Sequence, residues 1–171
     1  MTAIAFAPAT RFLNIVSRTA LWLAGIGLVL MTAFIAYQVF MRYVMNNSPS
    51  WTDAAATMLM TWFIFLGAAV GVRERYHLGF DVLLLVVDIR TRAVMRTISD
   101  LVVFAFGFGM VFYGVQLVVG TWNTTIPALE LPGGVTYLPV VCGGALICLF
   151  TLERLLQRFS GLEPDTETSE V

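Results

Sequence analysis

The chain has 171 residues, 58% of them hydrophobic and 12% charged, with a net charge of −1. Soluble domains carry about 25% charged residues, so this composition excludes an ordinary water-soluble globule and points to membrane spans. A single His, His77, and two Cys leave too few ligands for paired haem ligation or a His-based metal site, and no cofactor is expected.

Residues 1–18 carry Arg11 and Arg18 without an acid and are expected to lie in water. Thr19 to Met41 is a run of twenty-three uncharged residues, long enough to cross a bilayer. Tyr37 to Arg42 follows where a secretory signal would have a small-residue cleavage site, so this first span (19–41) is retained. Trp22 and Tyr43 suit the aromatic belts at its two ends.

The second span, 54–72, is nineteen residues without a charge. Ser50 is placed to cap it, with Asp53 three residues later to complete a capping box or meet the positive helix end. Pro49 discourages an earlier start, and Trp51 suits the lipid–water boundary. Gly67 and Gly71 form a Gly-x-x-x-Gly face that lets a second helix approach closely. Arg73 and Arg75 are expected to stop the span in water.

The segment 79–100 differs in kind. Its apolar run, Phe80 to Val87, is too short to span. Asp88, Arg92, Arg96 and Asp100 recur every four residues as a charged stripe, with Val94, Ile98 and Leu101 off it. The pattern predicts an amphipathic helix in the membrane interface, apolar side down, between the second and third spans. The third span runs 101–122, ending at Trp122. Asn123 to Pro127 breaks the helix, and Glu130 to Gly134 makes a short turn. The fourth span, 132–152, is closed by Glu153, Arg154 and Arg158. Within it Cys142 and Cys148 are expected to pack as small hydrophobes. The acidic end, about 161–171, has no aromatics and is expected to be disordered. The fold class is thus an all-α integral membrane protein of four spans forming one domain over 1–171.

Arginine distribution sets the orientation. Two precede the first span, five lie between the second and third, and two follow the fourth; only Arg42 lies on the other side. Both termini are therefore expected in the cytoplasm. The spans contain no charged residue to hold a substrate or ion, no nucleophile–base set and no inverted repeat. The residues describe a helical partner protein, neither an enzyme nor a nucleic-acid binder. They leave open a membrane anchor or assembly subunit of another inner-membrane complex.

The run Gln38-Val-Phe-Met-Arg42-Tyr, then Asn46, Ser48, Trp51, Asp53, Trp62, Phe65-Leu-Gly67-Ala68, Arg73, His77 and Asp81, resembles the small (Q-type, DctQ-like) membrane subunit of tripartite ATP-independent periplasmic (TRAP) transporters. Pro127-Ala-Leu-Glu-Leu-Pro132 and Tyr137-Leu-Pro139-Val extend the likeness, which covers about 12–158. Asp53 stands where the family often has Glu, and Gly133-Gly134 replace a Trp common after the last loop's Pro. The resemblance implies a bacterial inner-membrane protein that braces a large multi-span permease subunit. It implies sodium-driven uptake of an organic acid delivered by a periplasmic solute-binding protein. Besides membrane lipids, those two proteins are the implied partners, and the small subunit would hold no substrate site. On this reading Arg42, Trp51 and Asp53 would organise the outward end of the first two helices. Ser50, Gly67, Gly71, Arg73, Arg92 and Arg96 complete the structural and interface candidates.

Overall fold

The structure is a computed structural model that describes residues 2–47, 49–74 and 89–159. Four helices in it are long and apolar enough to cross a membrane. Helix α1 spans Thr2–Tyr43, α2 Trp51–Arg73, α3 Ile89–Thr121 and α4 Leu138–Phe159. Helix α1 is helical well before Thr19, where the first span was expected to begin. Arg11 and Arg18 are good helix formers and do not interrupt it.

Two local devices turn the chain at the α1–α2 corner. Asn46 adopts a left-handed φ of 53°, and the Asn47 N–H donates back to the Met41 carbonyl at 3.0 Å. That bond closes a seven-residue loop around a left-handed residue and ends the helix, and Asn tolerates the conformation better than most side chains. At the start of α2 the expected cap is not made. Ser50 is itself in the right-handed helical region and forms no side-chain cap bond. Thr52, fully buried, instead donates its hydroxyl to the Pro49 carbonyl at 2.8 Å.

Of the predicted interfacial segment, 79–88 lies outside the described residues, as does the tail at 161–171. The described remainder is continuous with the third span. Residues 89–100 are the opening turns of α3 and run into the third span without a break. The apolar positions stay on the outside, as a lipid-facing side would, and the departure is at Asp100. Val94, Ile98 and Leu101 are more than half exposed, whereas Asp100 of the charged stripe is buried.

The α3–α4 connection is more ordered than a simple turn. Thr125–Ile126 pairs antiparallel with Leu131–Pro132, Thr125 opposite Pro132 and Ile126 opposite Leu131. Glu130 closes this hairpin at a φ of 54°, and the Gly133 N–H donates to the Thr124 carbonyl at 2.6 Å. A 3-10 turn, Gly133–Tyr137, then leads into α4. A Cβ on Gly134 would come within 2.5 Å of the Val118 carbonyl and 2.9 Å of the Trp122 ring. The turn therefore needs glycine to lie against the end of α3.

Packing joins α1 to α2, α2 to α4 and α4 to α3, giving the spatial order α1–α2–α4–α3. Ala20 and Ala24 of α1 meet Leu66 and Val70 of α2 in one buried cluster. In the other, Leu13, Ala69, Ile147 and Phe150 bring together α1, α2 and α4. Small residues permit the close approaches that drive helix association in lipid. Cβ atoms on Gly107 or Gly144 would strike the facing helix at 2.9 Å or less, and one on Gly143 would strike Phe65 at 2.8 Å. By contrast, Gly67 and Gly71 have open space around their Cβ positions. Within this chain, then, the Gly-x-x-x-Gly pattern does not form the close contact; Ala69, fully buried between those glycines, does.

Candidate functional site

The most organised polar structure is a lacing of charged groups where the end of α2, the end of α4 and inner positions of α1 and α3 converge. It begins with Arg73, the last residue of α2. Its guanidinium donates to the Leu13 carbonyl and to Asn14 Oδ1 at 2.6 Å, both on α1. The same group lies 3.7 Å from Glu153 Oε2 on α4 and 5.0 Å from the centre of the Phe150 ring. Sequence reasoning placed Arg73 in water as a stop signal. Its side chain is only 14% exposed, because a guanidinium with five donors can satisfy several groups at a crowded helix end.

Asp100 on α3 is the second node. Arg154 reaches one carboxylate oxygen at 3.2 Å and Arg158 the other at 3.1 Å. Arg154 also donates to the Val72 carbonyl near the end of α2, one of the acceptors a helix C-terminus leaves unpaired. Arg158 donates to Thr97 Oγ1 at 3.1 Å, and Gln157 donates to Glu153 Oε1 at 3.3 Å. Three guanidinium groups thus face two carboxylates, and every helix contributes at least one partner. Charges taken out of water are tolerable only when paired, and each guanidinium here has a carboxylate within 4 Å. The arrangement contains no nucleophile and suits fastening helices together.

Asn14 and Thr97 were not singled out from the sequence, and Asp100, Glu153, Arg154 and Arg158 were read only as a charged stripe and as charges closing the fourth span. The available signal was pairing potential: two Arg four residues apart on one helix and an acid at matching depth on another.

At the opposite end Trp51 is 41% exposed and packs edge-on against Phe34, ring centres 5.6 Å apart. Tyr37 lies 6.4 Å from the same ring. Trp51 of α2 thus contacts two aromatic rings of α1. Arg42 and Asp53 are both exposed, and neither forms an ion pair with another described residue. Arg42 lies in the last turn of α1 and Asp53 in the first turn of α2, each with the sign that its helix end favours. Arg96 is half-buried on α3. The Arg92 side chain lies outside the described residues.

Residues 31–161 match the family model for the DctQ component of tripartite ATP-independent periplasmic transporters. A Haemophilus influenzae protein classed as a TRAP transporter small permease protein is 27% identical over 136 residues, 75% of this chain and 80% of the relative. The C4-dicarboxylate TRAP transporter small permease protein DctQ of Vibrio cholerae is 28% identical over 93 residues, covering 54% of this chain and 37% of the relative. The sialic acid TRAP transporter permease protein SiaT of Haemophilus influenzae is 23% identical over 136 residues. That match takes in 80% of this chain but 21% of the relative.

Proposed function

The chain belongs to the DctQ component family of tripartite ATP-independent periplasmic transporters, and from that premise we propose that it braces a large permease subunit during binding-protein-dependent, sodium-driven uptake of an organic acid. The observation that carries the bracing role is the charge lacing. Arg73, Asp100, Glu153, Arg154 and Arg158 cross-link all four helices at one end. A bundle fastened in this way suits a fixed frame against which a partner moves. The organic-acid class is supported by relatives named for C4-dicarboxylates and for sialic acid, both of which are carboxylates.

The chain is a multi-pass protein of the inner membrane, and its orientation follows from arginine asymmetry. The laced end, with both termini, faces the cytoplasm; the Trp51 corner and the α3–α4 hairpin face the periplasm. The large subunit carries the substrate and sodium sites, and the periplasmic solute-binding protein docks on the outward side of the complex.

Reconstitution tests the role. The chain alone in liposomes transports nothing. With the large subunit and the binding protein, uptake is sodium-dependent and requires this chain. Arg42→Ala and Asp53→Ala lower the amount of assembled complex while apparent substrate affinity in the surviving complexes stays within about twofold, since losing an end charge costs only about 0.3–1 kcal/mol locally. Saturable uptake by this chain alone, or normal assembly with weakened affinity, would refute the bracing role.

A further inference from the structure

The spans contain few polar side chains; the buried Thr151 hydroxyl on α4 meets no hydrogen-bond partner among the described residues, whereas four other threonines are satisfied locally. Thr32, Thr57 and Thr121 donate to the carbonyl four residues back, and Thr61 to the carbonyl three residues back. Gln116 on α3 is different. Its side chain is exposed and makes no hydrogen bond to any described residue.

Its depth makes that exposure costly. Trp122, 50% exposed, stands just beyond the end of α3 at Thr121, as suits a residue at the lipid–water boundary. Gln116 lies six residues inside Trp122, about 9 Å along a helix at about 1.5 Å per residue. Helical side chains tilt toward the N-terminus, so the carboxamide points further into the membrane and away from the nearer surface. It cannot reach water as Lys or Arg would.

The rest of the α3 surface fixes which way Gln116 faces. Gly107 and Gly114 lie against α4, where added Cβ atoms would meet Ile147 and Val141 at 2.9 and 2.8 Å. At about 3.6 residues per turn these glycines are roughly opposite Gln116. The outward face therefore carries Gly109, Tyr113, Gln116 and Gly120. Tyr113 is 66% exposed, and both glycines have open space at their Cβ positions. A donor–acceptor carboxamide between small residues is the pattern of a helix–helix contact, where polar groups pair across the interface.

We propose that this face of α3, centred on Gln116, is where a transmembrane helix of the large permease subunit docks, pairing a polar side chain or free backbone group with the Gln116 carboxamide. This rests on the reading of the chain as a DctQ component. Lipid cannot supply that pairing at this depth, and the similarity to SiaT over about a fifth of that permease's length favours a permease as the occupant. The contact lies at the end of the packing order opposite α1, so the frame would engage its partner through its last-packed helix.

The test uses the full complex in membranes, with a benzophenone amino acid placed singly at Tyr113, Gln116, or Val29 on α1. Adducts to the large subunit should form from Tyr113 and Gln116 several-fold more than from Val29, which is 68% exposed. Gln116→Leu should lower the co-purified large subunit about threefold or more, the scale of one interhelical hydrogen bond in a bilayer. The melting temperature of the isolated chain should not change. Adducts from Val29 alone or equally from all three sites, adducts joining two copies of this chain, or undiminished assembly of Gln116→Leu would overturn the assignment while leaving the complex intact. Failure of the wild-type chain to co-purify with the large subunit would overturn the underlying reading as well.

Discussion

Asp100 offers the sharpest test of how the bundle is fastened. Its side chain is 9% exposed and sits between Arg154 and Arg158, which are 13% and 17% exposed. Two unit charges about 4 Å apart attract by about 4 kcal/mol at an effective dielectric near 20, and much of that offsets the cost of dehydrating them. Removing one partner is another matter, because it strands the other charges; breaking a buried pair costs about 3–5 kcal/mol. Arg154 keeps the Val72 carbonyl and Arg158 keeps Thr97, so Asp100→Ala should fall near the lower figure, about 3 kcal/mol. At roughly 2–4 °C per kcal/mol for a chain of this size, the melting temperature drops by about 6–12 °C. Tryptophan fluorescence of the purified protein in detergent would follow the transition. Asp100→Asn, which keeps the shape and one acceptor, should lie between the two. A cycle with Arg158→Gln should show coupling of about 1 kcal/mol or more, as groups in one network do. A shift below about 2 °C for Asp100→Ala, or an equal drop for the exposed Glu74→Ala, would refute the structural role of the pairs.

Other expectations are simpler. Gly144→Ala should destabilise the isolated chain by about 1–3 kcal/mol, because its Cβ would meet Met110 at 2.8 Å and the Gly107 carbonyl at 2.9 Å. Gly67→Ala and Gly71→Ala, with open space, should leave the same melting curve within about 0.5 kcal/mol. Thr52→Val should cost about 1 kcal/mol by removing the bond to Pro49, while Ser50→Ala should be neutral; equal effects would contradict the observed cap geometry. For orientation, single cysteines at Asn47 or Asn123 in a chain lacking Cys142 and Cys148 should label from the periplasm, and one at Thr91 should not. The reverse pattern would invert the topology.

The four spans were legible because uncharged runs between Thr19 and Met41, and between Ala54 and Val72, leave no other solution in so apolar a chain. The fate of the charges at their ends was not. Arg73 and Arg154 sit where a hydropathy reading places stops in water, and such a reading has no term for a second helix ending at the same depth. Asp100 shows the failure most clearly. Four-residue spacing correctly puts it on one face of a helix, but spacing cannot say whether that face meets water or Arg154. The hairpin between α3 and α4 was equally hidden. Thr125–Ile126 and Leu131–Pro132 are two-residue strands, too short for any alternation to register, and their pairing depends on Glu130 taking a left-handed conformation. Ser50 had the right residue type for a cap, yet its backbone is already helical and its side chain accepts no cap bond.

The charges also bear on why the helices take the order α1–α2–α4–α3. In a bilayer apolar side chains pack against lipid nearly as well as against each other, so leucines and phenylalanines alone discriminate weakly between arrangements. Close glycine contacts and ion pairs discriminate more. If α3 docked with Asp100 turned outward, an unpaired carboxylate would stand at the membrane edge, at a cost of a few kcal/mol. The same move would pull Gly107 and Gly114 away from α4 and leave Arg154 and Arg158 without their acid. If α4 slid along α2 by a turn, Arg154 would lose the Val72 carbonyl and Glu153 would leave Arg73. Each alternative breaks at least two independent pairings, whereas the native order engages Asp100, Glu153 and all three arginines together. The lacing thus selects one arrangement among several of similar apolar content, which is what a frame must have before a partner can be held against it.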